Sequence, residues 1–216
     1  MHDTLIISVS GVRGIVGAGL TPELVSRFSS GLGMMAAAAG SPKVVLARDA
    51  RSSGPMFAAA ARAGLQSVGC GVIDCGLVPT PTAQLAVEHH GAGGGIVITA
   101  SHNPVEWNAL KFIGPDGVFL DAETGGRLRE LAEGDRLAHV AWDALGALES
   151  DPSAVQRHLD AVMALSILDV TRIRDRGFTV ALDGVRGVAG TIMPQLLEGL
   201  GCKVVGMDLE TDGAEG

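Results

Sequence analysis

Tyrosine is absent from this 216-residue chain, and only two tryptophans and five phenylalanines supply aromatic rings. A nucleic-acid reader needs stacking rings on a basic face. With few rings and a formal net charge of −8, nucleic-acid partners are set aside. Cysteine is also scarce: Cys70, Cys75 and Cys202 show no metal-ligand spacing, and an odd number argues against a disulfide framework. They read as small buried apolar residues in a reducing compartment. The opening MHDTLIISVS lacks a basic segment followed by a long apolar one, so no signal peptide is expected. No apolar run approaches membrane-spanning length, so no membrane partner is expected either. The expected location is cytoplasmic.

What is present is an ordinary globular composition, 47% hydrophobic and 19% charged, rich in alanine and glycine. The length allows one domain with a sizeable core, or one and a half smaller ones. Charge is uneven. Residues 1–120 hold seven basic and seven acidic side chains, whereas residues 121–216 hold nine and seventeen. The acidic excess reads as a solvated surface.

Strand and helix signals alternate. TLIISV is a short apolar run followed by a Gly-rich loop. Thr21-Pro22 opens a helix, with a threonine cap and proline at the first position. Leu24, Val25, Phe28, Leu32 and Met35 form its apolar stripe. KVVLA (43–47), GVID (71–74) and GIVIT (95–99) read as buried strands. Residues 55–68 read as a helix, and Thr80-Pro81 repeats the cap-and-proline start for another through about His89. Gly114-Pro115-Asp116-Gly117 predicts a hairpin turn between LKFI and VFL, and a helix follows from about Asp121 to Glu133. The pattern loosens at 134–150. Beyond it, Asp151-Pro152 starts a helix, FTVAL (178–182) and KVVGM (203–207) are strands, and 190–200 is mostly helix.

This alternation predicts an α/β fold: a mixed, mostly parallel sheet covered by helices on both faces. The expected division is a first domain over residues 1–140 and the beginning of a second, similar α/β domain over 151–216, cut short. An internal echo supports a repeated unit. Asp49 and Arg51 follow one strand, Asp183 and Arg186 another, and Gly-Cys precedes the next strand in both.

In open α/β sheets, ligands gather at the carboxyl ends of strands. Four loops are expected there: 10–14, 48–54, 78–82 and 99–108. In the last, Pro104 biases Asn103 away from helix, so the chain turns sharply after GIVIT. Ser101 and His102 would then stand at the sheet edge. Such a serine suits a nucleophile or phosphate carrier, but equally a turn or cap serine. Neighbouring side chains on an extended chain point apart, so a direct Ser–His pair is not guaranteed. No G-x-S-x-G elbow supports a hydrolase. The other loops add Arg13, Arg48 and Arg51, with Lys111 just downstream. Cations converging on a hydroxyl suit phosphoryl transfer, in which charge on the moving group must be neutralised. Gly11, Gly14 and Gly54 would let backbone amides approach an anion.

The stretch GGIVITASHNPVEWNALKF resembles the phosphoserine loop of the α-D-phosphohexomutases, which include phosphoglucomutase, phosphomannomutase and phosphoglucosamine mutase. Ser-Gly-Val-Arg-Gly, Arg-Asp-x-Arg-x-Ser-Gly and Pro-Thr-Pro-Thr occur in the family's order, and the likeness runs from residue 5 to about 208. It implies that the fold is the family's first domain plus the opening of its second. It implies that Ser101 carries a phosphoryl group. That group passes to a sugar monophosphate, and the other phosphate of the hexose 1,6-bisphosphate intermediate returns to Ser101. His102 and Asn103 would line the site. Arg13 and Lys111 would contact the transferring group and are the acid–base candidates, with Arg13 the safer as a fixed charge. Ser10, Gly11 and Asn108 would help bind phosphate and shape the loops, with Arg48 and Asp49 as structural support. A phosphate on Ser101 would supply one ligand to magnesium (Mg2+). The start at Ser8 and the Trp107-Asn108-Ala109-Leu110-Lys111 stretch are most similar to bacterial members labelled phosphoglucosamine mutase.

The departures are specific. Ser8-Val9 stands where many members have Gly-Thr, and Ala109 stands where many have glycine. The family's Asp-x-Asp-x-Asp-Arg magnesium loop has no counterpart, and Asp208, Asp212 and Glu215 do not match its spacing. One phosphate oxygen cannot hold magnesium alone. The expectation is therefore the N-terminal portion of a phosphohexomutase with little mutase activity by itself. The other reading is a homologue that keeps the fold as a binding or interaction module.

Overall fold

The computed structural model describes residues 4–9 and 11–212, so the expected site residue Ser10 lies outside the described residues. Seven strands form the main sheet: β1 (Leu5–Ser8), β2 (Gly11–Ile15), β3 (Lys43–Arg48), β4 (Gly71–Leu77), β5 (Gly95–Ile98), β6 (Trp107–Ile113) and β7 (Leu148–Ser150). Their order across the sheet is β1-β2-β6-β5-β3-β4-β7. β5, β3, β4 and β7 are mutually parallel. β6 runs against β5 and β2 against β6, which restores β2 to the common direction, and β1 opposes β2. Five of the seven strands therefore point one way, as the mixed, mostly parallel expectation requires.

Helices cover both faces because the central strands are apolar on both. β5 is buried at every position and β3 at its four central ones. On one face α1 (Pro22–Ala38), α2 (Gly54–Ser67) and α4 (Ala122–Glu133) pack over a core that includes Phe28, Phe57, Leu65, Ile96, Leu110 and Phe112. On the other, α3 (Thr80–His90) and α5 (Ala154–Met163) cover Val45, Ala47, Ile73 and Val97. The Thr21 side chain accepts from the Leu24 amide and Pro22 follows, so the predicted start of α1 holds. Cys70 and Cys75 are buried, and burial pushes both thiols up to about 12. They stay neutral and serve as packing.

The second unit is smaller. α6 (Val170–Arg176), β8 (Thr179–Asp183), α7 (Ala189–Gly199) and β9 (Lys203–Met207) surround one parallel two-stranded sheet. Asp151 joins α5 to the first sheet's α3. Its carboxylate accepts from Arg157 Nη1 at 3.1 Å, is also bound by Nη2 of that residue, and meets His90 Nε2 at 2.7 Å. Burial pushes this carboxyl up, but the Arg157 and His90 hydrogen bonds, the Arg157 charge and the Ser153 amide outweigh it and hold it down at about 2. α5 is thereby tied to α3.

Two expectations are corrected. The 10–14 loop is not a loop: residues 11–15 are strand β2, inserted between β1 and β6. Its glycines serve close backbone packing, since a Cβ on Gly11 would meet the Leu110 oxygen at 2.7 Å and one on Gly14 the Thr4 oxygen at 2.7 Å. The predicted turn at 114–117 is present, by contrast: the Gly114 amide donates to the Val118 carbonyl at 2.7 Å and Ile113 bridges antiparallel to Phe119. α3 begins at Thr80 with Pro79 as its cap, so Thr80 lies inside the helix. The loosened stretch contains β7, which pairs with β4 and carries the first sheet on to Ser150. Among the described residues no helix is long and apolar enough to cross a membrane.

Candidate active site

The loops after β3 and β5 meet at one sheet edge, because these strands are parallel neighbours. Ser101 follows β5 and takes a left-handed conformation, φ 55°. A non-glycine residue there carries strain of about 1 kcal/mol or more. The Ser101 amide donates to Thr99 Oγ1 at 3.2 Å, and the Asn103 amide donates to the Ala100 carbonyl at 3.1 Å. The bend settles the Ser–His relation that the sequence leaves open. On an extended chain the two side chains diverge, but the left-handed turn brings His102 Nδ1 to 3.4 Å from Ser101 Oγ. Both residues are exposed.

Arg51 holds this bend from below. Its side chain is only 5% exposed. Nη2 donates to the carbonyls of Ser101 (2.9 Å) and Asn103 (2.6 Å), and Nη1 to those of Pro104 (2.9 Å) and Trp107 (3.1 Å). Asp49 braces it, accepting from the Arg51 amide at 3.0 Å while Oδ2 stands 3.5 Å from Nε. The expected convergence of cations on the serine hydroxyl is thus corrected for Arg51, whose fork points into main-chain carbonyls. Arg48 also turns inward, donating from Nη1 to the Asp49 carbonyl at 3.1 Å.

Asn108 and Asn103 also hydrogen-bond within the protein. Asn108 is fully buried; its Nδ2 donates to Ser53 Oγ at 2.8 Å, which ties β6 to the start of α2. Burial keeps it from the cleft. Asn103 Nδ2 donates back to the Ala100 carbonyl at 2.7 Å, closing the loop on itself.

Ser101, His102, Asp49, Arg51, Thr99 and Val105 line one wall of a cleft of about 450 Å³. The opposite wall is the 184–189 segment of the second unit. Here Val185 and Arg186 are both left-handed, with φ 44° and 53°. Sequence reasoning singled out Asp183 and Arg186 as an echo but did not place them opposite Ser101. Arg13, Gly11 and Lys111 line a second concavity of about 370 Å³, with Ser8 and Phe119. Lys111 Nζ lies 5.8 Å from the Phe119 ring centroid. Strand register relates the two hollows: Thr99 is bonded across to Ala109, and Ala109 pairs with Arg13. Arg13, Ala109 and Thr99 thus share one row and one sheet face, with Arg13 two strands, about 10 Å, from Thr99. Lys111 is on the same face one pleat farther along.

Among the described residues no three His, Cys, Asp or Glu side chains gather as a metal site. The acidic side chain beside Ser101, Asp49, is committed to Arg51. The residues present do not fit a magnesium site, and no step below passes through one.

The family description "Phosphoglucomutase/phosphomannomutase, alpha/beta/alpha domain I" matches residues 5–138. The phosphoglucomutase/phosphomannomutase of Thermococcus kodakarensis is 38% identical over 205 residues, which are 94% of this chain and 44% of that protein. The probable phosphoglucosamine mutase of Methanosarcina acetivorans is 35% identical, again over 94% of this chain and 44% of its own length. The putative phosphomannomutase of Thermus thermophilus superposes with a TM-score of 0.82 at 25% identity, covering 98% of this chain and 47% of that one. The chain spans less than half the length of each. The order of its motifs, its first-domain fold and these likenesses agree that the chain belongs to the phosphoglucomutase/phosphomannomutase family.

Proposed function

We propose that this chain is the phosphoserine-bearing part of a hexose-phosphate mutase, an isomerase, and that Ser101 is its phosphoryl carrier. The observation that carries the reading is the serine itself: left-handed, exposed at a cleft mouth, beside His102 and anchored from behind. The substrate class is a hexose monophosphate. The activity is that of phosphoglucosamine mutase or of phosphoglucomutase/phosphomannomutase.

In the proposed reaction, phosphorylated Ser101 meets a free hydroxyl of the sugar phosphate. The Oγ–P bond breaks and a sugar O–P bond forms. The hydroxyl proton passes through a base and ends on Ser101 Oγ. The hexose 1,6-bisphosphate then turns over, and its other phosphate returns to Ser101, leaving the isomeric monophosphate. Such transfer depends on fixed charge around the moving group. Arg13 offers that charge, and Lys111 is the proton-transfer candidate on the same sheet face. His102, nearest to Oγ, lines the transfer path.

Ser101→Ala in the longest native form of the protein tests this. Conversion of hexose 1-phosphate to 6-phosphate is expected to fall by about three orders of magnitude or more, since the carrier is gone. A variant with near-normal turnover would overturn the reading.

A further inference from the structure

Arg51 sits after β3, yet its side chain engages the loop after the neighbouring strand β5. Four carbonyl oxygens, from residues 101, 103, 104 and 107, converge on one buried fork. Carbonyl dipoles aimed at one point repel each other unless a cation lies between them. Guanidinium offers five N–H donors in a fixed plane, whereas ammonium offers three on a flexible stem. With Asp49 occupying its remaining side, the guanidinium matches this set of acceptors and lysine does not.

A related arrangement occurs in the second unit, with carboxylates in place of carbonyls. Arg186 follows β8 and reaches the segment after β9, again the parallel neighbour. It is bound to Asp212 and lies 3.7 Å from Glu210 and 3.9 Å from Asp208. Asp49 accepts from the amide two residues on, and Asp183 does likewise. An aspartate turn followed by an arginine that captures the next parallel loop is thus a repeated device of this fold, and in the first unit the captured loop is the one bearing Ser101.

We propose that Arg51 is the positioning residue for Ser101: by gathering the 101, 103, 104 and 107 carbonyls it imposes the left-handed serine and presents Oγ to the cleft. It acts through the loop and does not contact the substrate phosphate. The consequence for catalysis rests on the reading of Ser101 as phosphoryl carrier. The effect on the loop does not.

The experiment pairs hydrogen exchange with phosphoryl incorporation in Arg51→Lys. In the ligand-free chain, amide exchange over 100–108 is expected to rise at least about tenfold, while strand 44–48 exchanges as in the parent. Unchanged exchange over 100–108 in the folded variant overturns the proposal. If 44–48 also loosens, Asp49→Asn is read instead, because it keeps the guanidinium and removes its brace. Faster exchange confined to 100–108 then supports the proposal, and parental exchange overturns it. Incorporation of phosphate into Ser101 from hexose 1,6-bisphosphate separates positioning from contact and from mere support of the fold. Positioning predicts a slower rate with an unchanged half-saturating concentration at temperatures where the variant is fully folded. A raised half-saturating concentration with the parental rate marks a phosphate contact, and parental values for both mark a purely structural role; either overturns the proposal. Parental protein that takes up no phosphate at Ser101 fails the mutase reading instead, leaving the exchange result to judge Arg51.

Discussion

The two units of this chain use the same parts and differ in how far they bury them. In the first, β3 and β5 are covered on both faces and Phe28 stacks on Phe112 at 5.8 Å between centroids. In the second, β8 alternates exposed and half-buried residues, and Val205 and Met207 of β9 are 50% and 54% exposed. Both carry the aspartate-and-arginine loop. The device therefore does not depend on the depth of the core behind it, but its rigidity does. A strained serine can be held to one posture only where the strand beneath it cannot move. The first unit provides this, and it is the unit carrying Ser101.

The sharpest way to break this comparison is a matched pair of truncations. Phe112→Ala in the first core is expected to cost about 3–5 kcal/mol in urea unfolding. Met207→Ala in the second sheet is expected to stay within about 0.5 kcal/mol. Similar costs would show that the two units share one core. Asp151, between α3 and α5, comes next. Asp151→Asn leaves Arg157 without its carboxylate and is expected to cost about 3 kcal/mol. The same carboxylate gives the α3–α5 contact an acid limit. Its pKa is depressed in the fold, so its contribution is complete above the ordinary value near 3.8 and is lost as pH falls towards about 2. That contribution is about 2 kcal/mol. The parent should lose it between about pH 4 and 2, and Asp151→Asn should lack that part of the profile. The smallest effect concerns strain. Ser101→Gly should raise thermal stability by up to about 1 kcal/mol, since glycine is at ease at φ 55°. A loss of stability there would mean that the bend is not strained.

Much of the fold was legible because buried strands write themselves as apolar runs. KVVLA and GIVIT became β3 and β5, and Thr21-Pro22 became the start of α1. Strand β2 was hidden because two glycines and an arginine mimic an anion loop. What demands glycine there is close backbone: the Leu110 carbonyl of β6, distant in sequence, against Gly11, and the Thr4 carbonyl against Gly14. β7 has three residues, all exposed, and α6 has no buried residue, so neither shows an apolar period. In the site, Ser101 and His102 were legible from their motif. The role of Arg51 was not, because it depends on carbonyls about fifty residues away that carry no side-chain signature. The partner of Asn108, Ser53, was hidden for the same reason, since only the fold brings the two together.

The most direct measurement is to incubate the chain with hexose 1,6-bisphosphate, quench it, and locate any phosphate by tandem mass spectrometry. The account predicts a single phosphoryl group on Ser101 and none in Ser101→Ala. Phosphate on another residue, or equal labelling of the alanine variant, would contradict it.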